Sequence, residues 1–573
     1  MTEAAKLSFQ QEKYLSFCNK LKTEEHALKK YVIGIDYGTL SARAIIADAE
    51  NGNILPHKTS FTYPHAVMTE LVGKPLPSDF ALQHPRDYID ALEALIPELI
   101  EKNQVPAQNI SGIGIDFTAC TIFPLGKNGS PLCFDTRFEE NPHAYSKLWK
   151  HHGADKYAPL FEKAATGDNS YLPGMTGGII SGEFLFPKLY EIYKDAPEVY
   201  ENTSVFVNAG DYIASLLTKN NIHSMAYAVI KEHYDNYGGK GYPHESFFEG
   251  VENGFSDILS KIDKNLQSVG SSAGRLCKEW ADRLGLTEET AVAVPIIDAH
   301  GALSAAGIED KRAAIAIGTS AVIAVMTSDY SLVHGIHSQG YEATAENLFS
   351  LEAGVRAMGD LYDWFVKNCV SAEYERRAKE SGMNIHAYLR SLAEKKKIGE
   401  SRLIALDWFN GNRTVIPNDK LSGMILGMTL ATRPEDIYRA LIESTVFELR
   451  RVYDNYVESG VKVDSIIATG GIPLKDPMLM QILADNLNMP VACLESTEAT
   501  ALGSAVYGAT AAGIYQTVAE ASQRMKQPIA KTYYPITENS LAYDRLYREY
   551  CTLYDYFAKG DNKVMERLHD MEI

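Results

Sequence analysis

Two apolar runs, each folded back on itself by a short polar turn, set the frame of this chain. Residues 31–35 are apolar, Asp36 ends the run, Gly38-Thr39 makes a turn, and a second apolar run leaves at Ala42. The pattern returns over 313–326, where Gly318-Thr319-Ser320 forms the turn. Short apolar runs bounded by turn residues predict buried β-hairpins. Further strands are expected over 110–123, before the turn at 126–130, and over 463–469 and 490–494. Apolar residues at a spacing of three to four predict helices over 85–104, 185–200, 208–218, 276–284, 358–369, 371–397, 434–460, 476–488 and 500–512. A Tyr-rich helix is expected to close the chain, and residues 1–30 read as an amphipathic surface helix. Residues 232–255, rich in Gly, Tyr and Asn, read as loop.

Strands alternating with helices specify an α/β fold. Hairpins half a chain apart suggest two similar halves facing each other, divided near 308–312. The expected domains are a helical extension over 1–30, a first domain over 31–308, a second over 309–515 and a helical tail over 516–573.

Composition narrows the function. The 573 residues exceed what one core supports. A net charge of −19, from 74 acids against 55 bases, argues against a general nucleic-acid binder, which needs basic surface to release counterions. A local pocket can still be electropositive and hold ATP. No run approaches the roughly 20 apolar residues of a membrane helix, and the opening residues are too polar for a signal peptide. Seven dispersed cysteines without a Cys-x-x-Cys pair fit reduced thiols and a cytoplasmic location.

The candidate chemistry lies at the turns. Gly-Thr tips and the Thr469-Gly470-Gly471 segment can offer backbone N–H groups and hydroxyls to phosphates. There is no Walker A sequence and no Gly-x-Gly-x-x-Gly after a strand. Asp36, beside the first tip, can reach a phosphate-bound metal. Asp298, within Pro295-Ile-Ile-Asp-Ala-His-Gly301, can take a proton from a hydroxyl attacking phosphorus, or can cap the following helix. His300 reads as packed or capping. Asp116 reads as either structural or cleft-lining. Gly270-Ser-Ser-Ala-Gly274 reads as a turn rather than a hydrolase nucleophile. His143, His151 and His152 beside Trp149 read as helical surface packing rather than metal ligands, and Glu139-Glu140 as a solvated face. The tyrosines of 533–556 read as packing.

Taken in order, Gly34-Ile-Asp-Tyr-Gly-Thr, the Asp298 segment, Gly318-Thr-Ser and Thr469-Gly-Gly resemble the FGGY carbohydrate kinases, and residues 186–200 are similar to that family's first signature. Residues 81–88, 114–121, 141–152, 407–413, 423–432 and 480–488 look like one branch of it, the L-ribulokinases. The resemblance runs from about residue 31 to the tail. It implies two actin-like (ribonuclease H-like) domains with ATP and sugar in the cleft between them, and phosphorylation of the terminal hydroxyl of a pentulose, L-ribulose first among candidates. It implies Asp298 as general base and Asp36 as the acid near Mg²⁺. It implies Gly38, Thr39, Gly318, Thr319 and Ser320 as phosphate loops. It also implies Gly470, Gly471 and Lys475 around adenosine, and Ala119 and Glu352 at the ketopentose. Two departures stand out. The branch carries a sugar-binding lysine where this chain has Ala228, so that Lys231 serves only if the loop shifts register. Val355-Arg356 replaces a Gln-Ser pair after Glu352. Another ketose or polyol kinase, or a non-catalytic actin-like ATP-binding regulator, stays open, as does a homodimer.

Overall fold

A computed structural model describes residues 29–167, 180–495 and 498–571. The expected helix over 1–30 lies almost wholly outside them.

The first hairpin joins β1 (Tyr31–Tyr37) to β2 (Ser41–Asp48), and β3 (Thr59–Thr62) extends it. After α1 (Pro85–Asn103), β4 (Ile110–Phe117) returns parallel to β1. The helix α2 (Met225–Lys231) follows, then β5 (Ser272–Arg275) and β6 (Ala291–Ala293), and α3 (Asp298–Ala305) ends this half. The sheet order is β5-β6-β4-β1-β2-β3.

The second half repeats the plan. β7 (Arg312–Ile317) and β8 (Ala321–Thr327) form its hairpin, beside β9 (Ser338–Tyr341) and β10 (Phe349–Val355). After α4 (Pro434–Glu458), β11 (Ser465–Thr469) returns parallel to β7. Then come β12 (Val491–Leu494), α5 (Ala499–Ala511), β13 (Ile529–Tyr533) and α6 (Thr537–Ala558). The order β9-β10-β8-β7-β11-β12-β13 matches the first sheet strand for strand in direction, with β9 as an added edge.

Both central strands are buried along almost their whole length, which explains why they read as continuous apolar runs rather than alternating ones. The helices α3 and α5 lie together between the sheets. Their residues share one cluster with Val32 and Ile45 of the first sheet and Ala314, Met326 and Ile467 of the second. α5 follows all but the last strand of the second sheet in sequence, yet its backbone rests on the first. A Cβ on Gly34 of β1 would stand 1.8 Å from the Ala501 carbonyl oxygen, so only glycine fits there.

Several expectations shift. Residues 232–255 contain a helix, Glu245–Val251, because Phe247 and Phe248 are buried under it. The helix expected over 371–397 breaks into Ala372–Glu380 and Ile385–Ala393 at Gly382, whose φ is +68°. Pro197 restarts the helix expected over 185–200 as Pro197–Asn202 after Leu185–Asp195. The tail tyrosines Tyr543, Tyr547, Tyr550 and Tyr554 are buried against the second core.

Candidate active site

Three neighbouring parallel strands of the first sheet carry aspartates near their carboxyl ends. Asp36 is the last residue but one of β1, and the register pairs it with Asp116, the last but one of β4. The two-residue strand Ile296–Ile297 pairs with β4 at Asp116 and Phe117, so Asp298 follows immediately as the first residue of α3. The carboxyl ends of parallel strands, where the chain leaves the sheet, are the usual ligand sites of α/β folds.

The three carboxyls have different surroundings. Asp36 Oδ2 accepts hydrogen bonds from Arg43 and from the Thr500 hydroxyl, both at 2.6 Å. Asp116 is fully buried; one oxygen accepts from the Ser504 hydroxyl, and Oδ1 has no partner among the described residues. Burial and the nearby Asp36 push Asp116 well above the usual carboxylate range. Asp298 Oδ1 accepts from the Ala299 amide at 2.7 Å, while Ile297 occupies the cap position of α3. The capping reading of Asp298 therefore gives way, and the carboxyl faces a cleft. Burial, and then the charge of Asp36, push it up to about 7.

That cleft, of about 1250 Å³ including its open mouth, runs between the halves. The second hairpin tip, Gly318, Thr319 and Ser320, lines it together with Thr469, Gly470 and Gly471. Gly470 takes φ +107°, and a Cβ there would stand 2.3 Å from the Ile317 carbonyl oxygen. The first tip is placed differently. Arg43 and Trp149 line the wall, whereas Asp36, Gly38 and Thr39 do not. The Trp149 indole N–H donates to the Thr39 hydroxyl at 3.2 Å, and Gln83 donates to the Thr39 carbonyl at 2.6 Å. Lys475 belongs to an adjoining cavity of about 1040 Å³, which shares Gly318 and Thr319 and extends to His386, Tyr438 and Asp476.

Ala119, Lys231, Glu352, Glu183 and Arg413 also line the main cleft. Lys231 lines it as the last residue of α2, while Ala228 is wholly buried. The departure at Ala228 thus leaves a lysine in the cleft. Val355, the other departure, is buried in the second core. Lys231 Nζ contacts His337 Nε2, and burial lowers its pKa against the pull of Glu352. Glu352 lies 3.4 Å from His300 Nε2. Burial alone would raise Glu352, but His300 and Lys231 outweigh it and hold the carboxyl down at about 2. His300 itself is packed, with Nδ1 2.9 Å from the Thr344 hydroxyl. Arg413 donates to Glu183 at 2.8 Å. Burial opposes ionisation of Glu183, and the Arg413 guanidinium overcomes it and keeps the carboxyl low.

Sequence reasoning therefore missed Arg43, Trp149, Thr500, Glu183, His337 and Arg413. Arg43 carried a signal, as the one charged residue within an otherwise apolar strand before Asp48. Trp149 and Arg413 lay inside stretches already singled out by resemblance. Glu183 and His337 carried none.

The three histidines do not share a helix, and two of them are not at the surface, while the His152 side chain is 42% exposed. His143 and His151 are buried around the turn Pro142–Ala144 and the strand Ser146–Lys147. Lys147 and His151 lie 2.9 and 2.8 Å from Glu191. Among the described residues, His143, Glu191 and Asp195 are close enough together to bracket a metal ion, but the Lys147 ammonium already neutralises Glu191. Ser272 of the Gly270–Gly274 segment begins the edge strand β5, with Gly270 and Gly274 at positive φ, as a turn requires.

Two matching sheets enclosing a cleft lined by glycine-threonine turns and a cleft-facing carboxyl define a two-lobed phosphotransferase of actin-like build. Comparison with known proteins fixes the family. Residues 31–303 match the N-terminal domain, and 313–512 the C-terminal domain, of the FGGY family of carbohydrate kinases. The chain is 39% identical to a ribulokinase of Geobacillus thermodenitrificans over 94% of its own length and 97% of that protein's. It is 39% identical to a ribulokinase of Mycolicibacterium smegmatis, over 95% and 96% respectively. Among solved structures it resembles a gluconate kinase from Lactobacillus acidophilus, with a TM-score of 0.77, 20% identity, and 93% and 99% of the two chains covered. Plasmodium falciparum glycerol kinase with ADP gives a TM-score of 0.71 at 18% identity, over 95% and 99%. The chain belongs to the FGGY family and is a carbohydrate kinase. Its two domains have the actin-like fold expected from the sequence.

Proposed function

We propose that this kinase transfers the γ-phosphoryl group of ATP to the terminal hydroxyl of a free pentulose, L-ribulose, forming L-ribulose 5-phosphate. The observation that carries this reading is the placement of Asp298. It lies in one cleft with the glycine-threonine tip of the second half and with Lys231 and Glu352. The relatives named ribulokinase supply the substrate.

In this reading the sugar lies along Ala119, Lys231 and Glu352. Two cations, Lys231 and Arg413, face two carboxylates, Glu352 and Glu183, in this part of the cleft. Such a balanced lining suits an uncharged polyhydroxy chain better than a sugar acid or sugar phosphate. The triphosphate lies along Gly318, Thr319, Ser320, Gly470 and Gly471, and adenosine extends toward Lys475. The ionised Asp298 takes the proton of the terminal hydroxyl as its oxygen bonds to the γ-phosphorus. The bond from that phosphorus to the β-phosphate oxygen breaks, and ADP leaves. Closure of the halves excludes water, a competing acceptor.

The carboxyl oxygens near the first tip are donors of the kind Mg²⁺ takes: Asp116 Oδ1 is unpartnered among the described residues and buried beside Asp36, which Arg43 and Thr500 hold. Asp36 and Asp116 would hold the ion directly or through water, and when bound it would neutralise charge on the triphosphate. An assay coupled to ADP release, run over L-ribulose, D-ribulose, xylulose and polyols, tests the proposal. The highest kcat/KM is expected with L-ribulose. Turnover confined to a polyol would overturn it.

A further inference from the structure

We propose that Arg413, held by Glu183 from the opposite half, reads the carbonyl end of the sugar, and so is a specificity-determining residue of the second half. This rests on the proposed reading of the cleft as a ketose site. Arg413 lines the cleft and donates one Nη2 hydrogen bond to Glu183 at 2.8 Å. Its Nε is buried and has no partner among the described residues. A buried guanidinium N–H without an acceptor carries a desolvation cost that a ligand oxygen would remove. Glu183 is itself buried and lines the same wall.

The order of charges along the cleft gives the orientation. His300, two residues past Asp298 on α3, lies 3.4 Å from Glu352. Glu352 pairs across the strands with Ser338, next to His337, and the His337 ring contacts Lys231 and stands 3.3 Å from Arg413 and 3.6 Å from Glu183. Arg413 and Glu183 therefore lie past Glu352 and Lys231 from Asp298. A sugar with its reacting hydroxyl at Asp298 therefore extends its other end toward Arg413. At that end a ketose carries a carbonyl and a neighbouring hydroxyl. The guanidinium fork can donate to both of these oxygens, while Glu183 accepts from its Nη2 and holds the fork in place.

The test is a cycle of two enzymes and two sugars. Wild type and Arg413→Met are assayed with L-ribulose and with its 1-deoxy analogue, which lacks the hydroxyl at that end. Wild type is expected to favour L-ribulose by about tenfold or more, because a site built to bond a hydroxyl rejects the analogue lacking it. Arg413→Met is expected to bring that ratio near unity and to raise the KM for sugar while leaving the KM for ATP in place. An unchanged ratio, or an equal rise in both KM values, overturns the proposal. Should Arg413→Met fail to fold, Arg413→Lys keeps the charge opposite Glu183 but not the planar fork, and it is expected to lose the same discrimination. A wild-type enzyme inactive on L-ribulose counts against the proposed function alone. The cycle then runs on the accepted ketose and its 1-deoxy form with the same two outcomes.

Discussion

At the scale of single residues, Asp298 concentrates the consequences. A base works only when ionised, and burial with Asp36 nearby puts this carboxyl at about 7. The kcat/KM for sugar is therefore expected to rise with pH and reach half its plateau near 7, measured at saturating Mg-ATP. Asp298→Asn is expected to lose about 10³-fold in kcat, within the range for a general base, and its residual rate to lack that inflection. Stability runs the other way. The folded state holds this proton up to about 7 while the unfolded chain releases it near 4, so the folded state binds more protons between those values and its stability falls as pH rises through that window. The Asn variant is thus expected to have a thermal midpoint at pH 8 no lower than wild type. A collapse of that midpoint would mean that the lost activity reports misfolding.

At the scale of elements, the tail helix α6 bears on the cleft from a distance. Asn412 donates to the Tyr554 hydroxyl at 2.7 Å, and that hydroxyl donates to the Thr414 carbonyl at 3.3 Å. Tyr554 thereby holds both neighbours of Arg413. Tyr554→Phe removes both bonds, at about 1 kcal/mol each. It is expected to raise the sugar KM severalfold in steady-state assays while the ATP KM holds. Elements of this kind show what the sequence discloses. The hairpins at Asp36 and Gly318 were legible because their strands are mostly buried and so read as apolar runs, interrupted within only at Arg43. Asp298 was legible because it ends such a run. Arg413, His337 and Glu183 were not, because each comes from a loop or strand end whose neighbours in sequence say nothing about its neighbours across the cleft. The buried histidines were misread because burial on an irregular turn leaves no periodic trace.

At the scale of the whole molecule, the two halves meet on a helix pair packed backbone to backbone. A Cβ at Gly503 of α5 would stand 1.8 Å from the Gly301 carbonyl oxygen of α3. Neither helix can yield, since α5 is equally close to β1. Gly503→Ala is expected to cost about 3 kcal/mol or more, read as a fall of several degrees in the thermal midpoint.

The position of α5 has a further result. The sheet that bears Asp36 is roofed by a segment synthesised 464 residues later, counted from Asp36 to Thr500, whose side chains meet beneath that roof. A polypeptide severed at Lys311 would give an amino-terminal piece whose glycine-lined surface is left bare, so neither piece should be a free-standing unit. Co-produced, the pieces should reassociate and recover activity. A ribosome making this enzyme must therefore hold its first sheet unroofed until Ala499–Ala511 has been made.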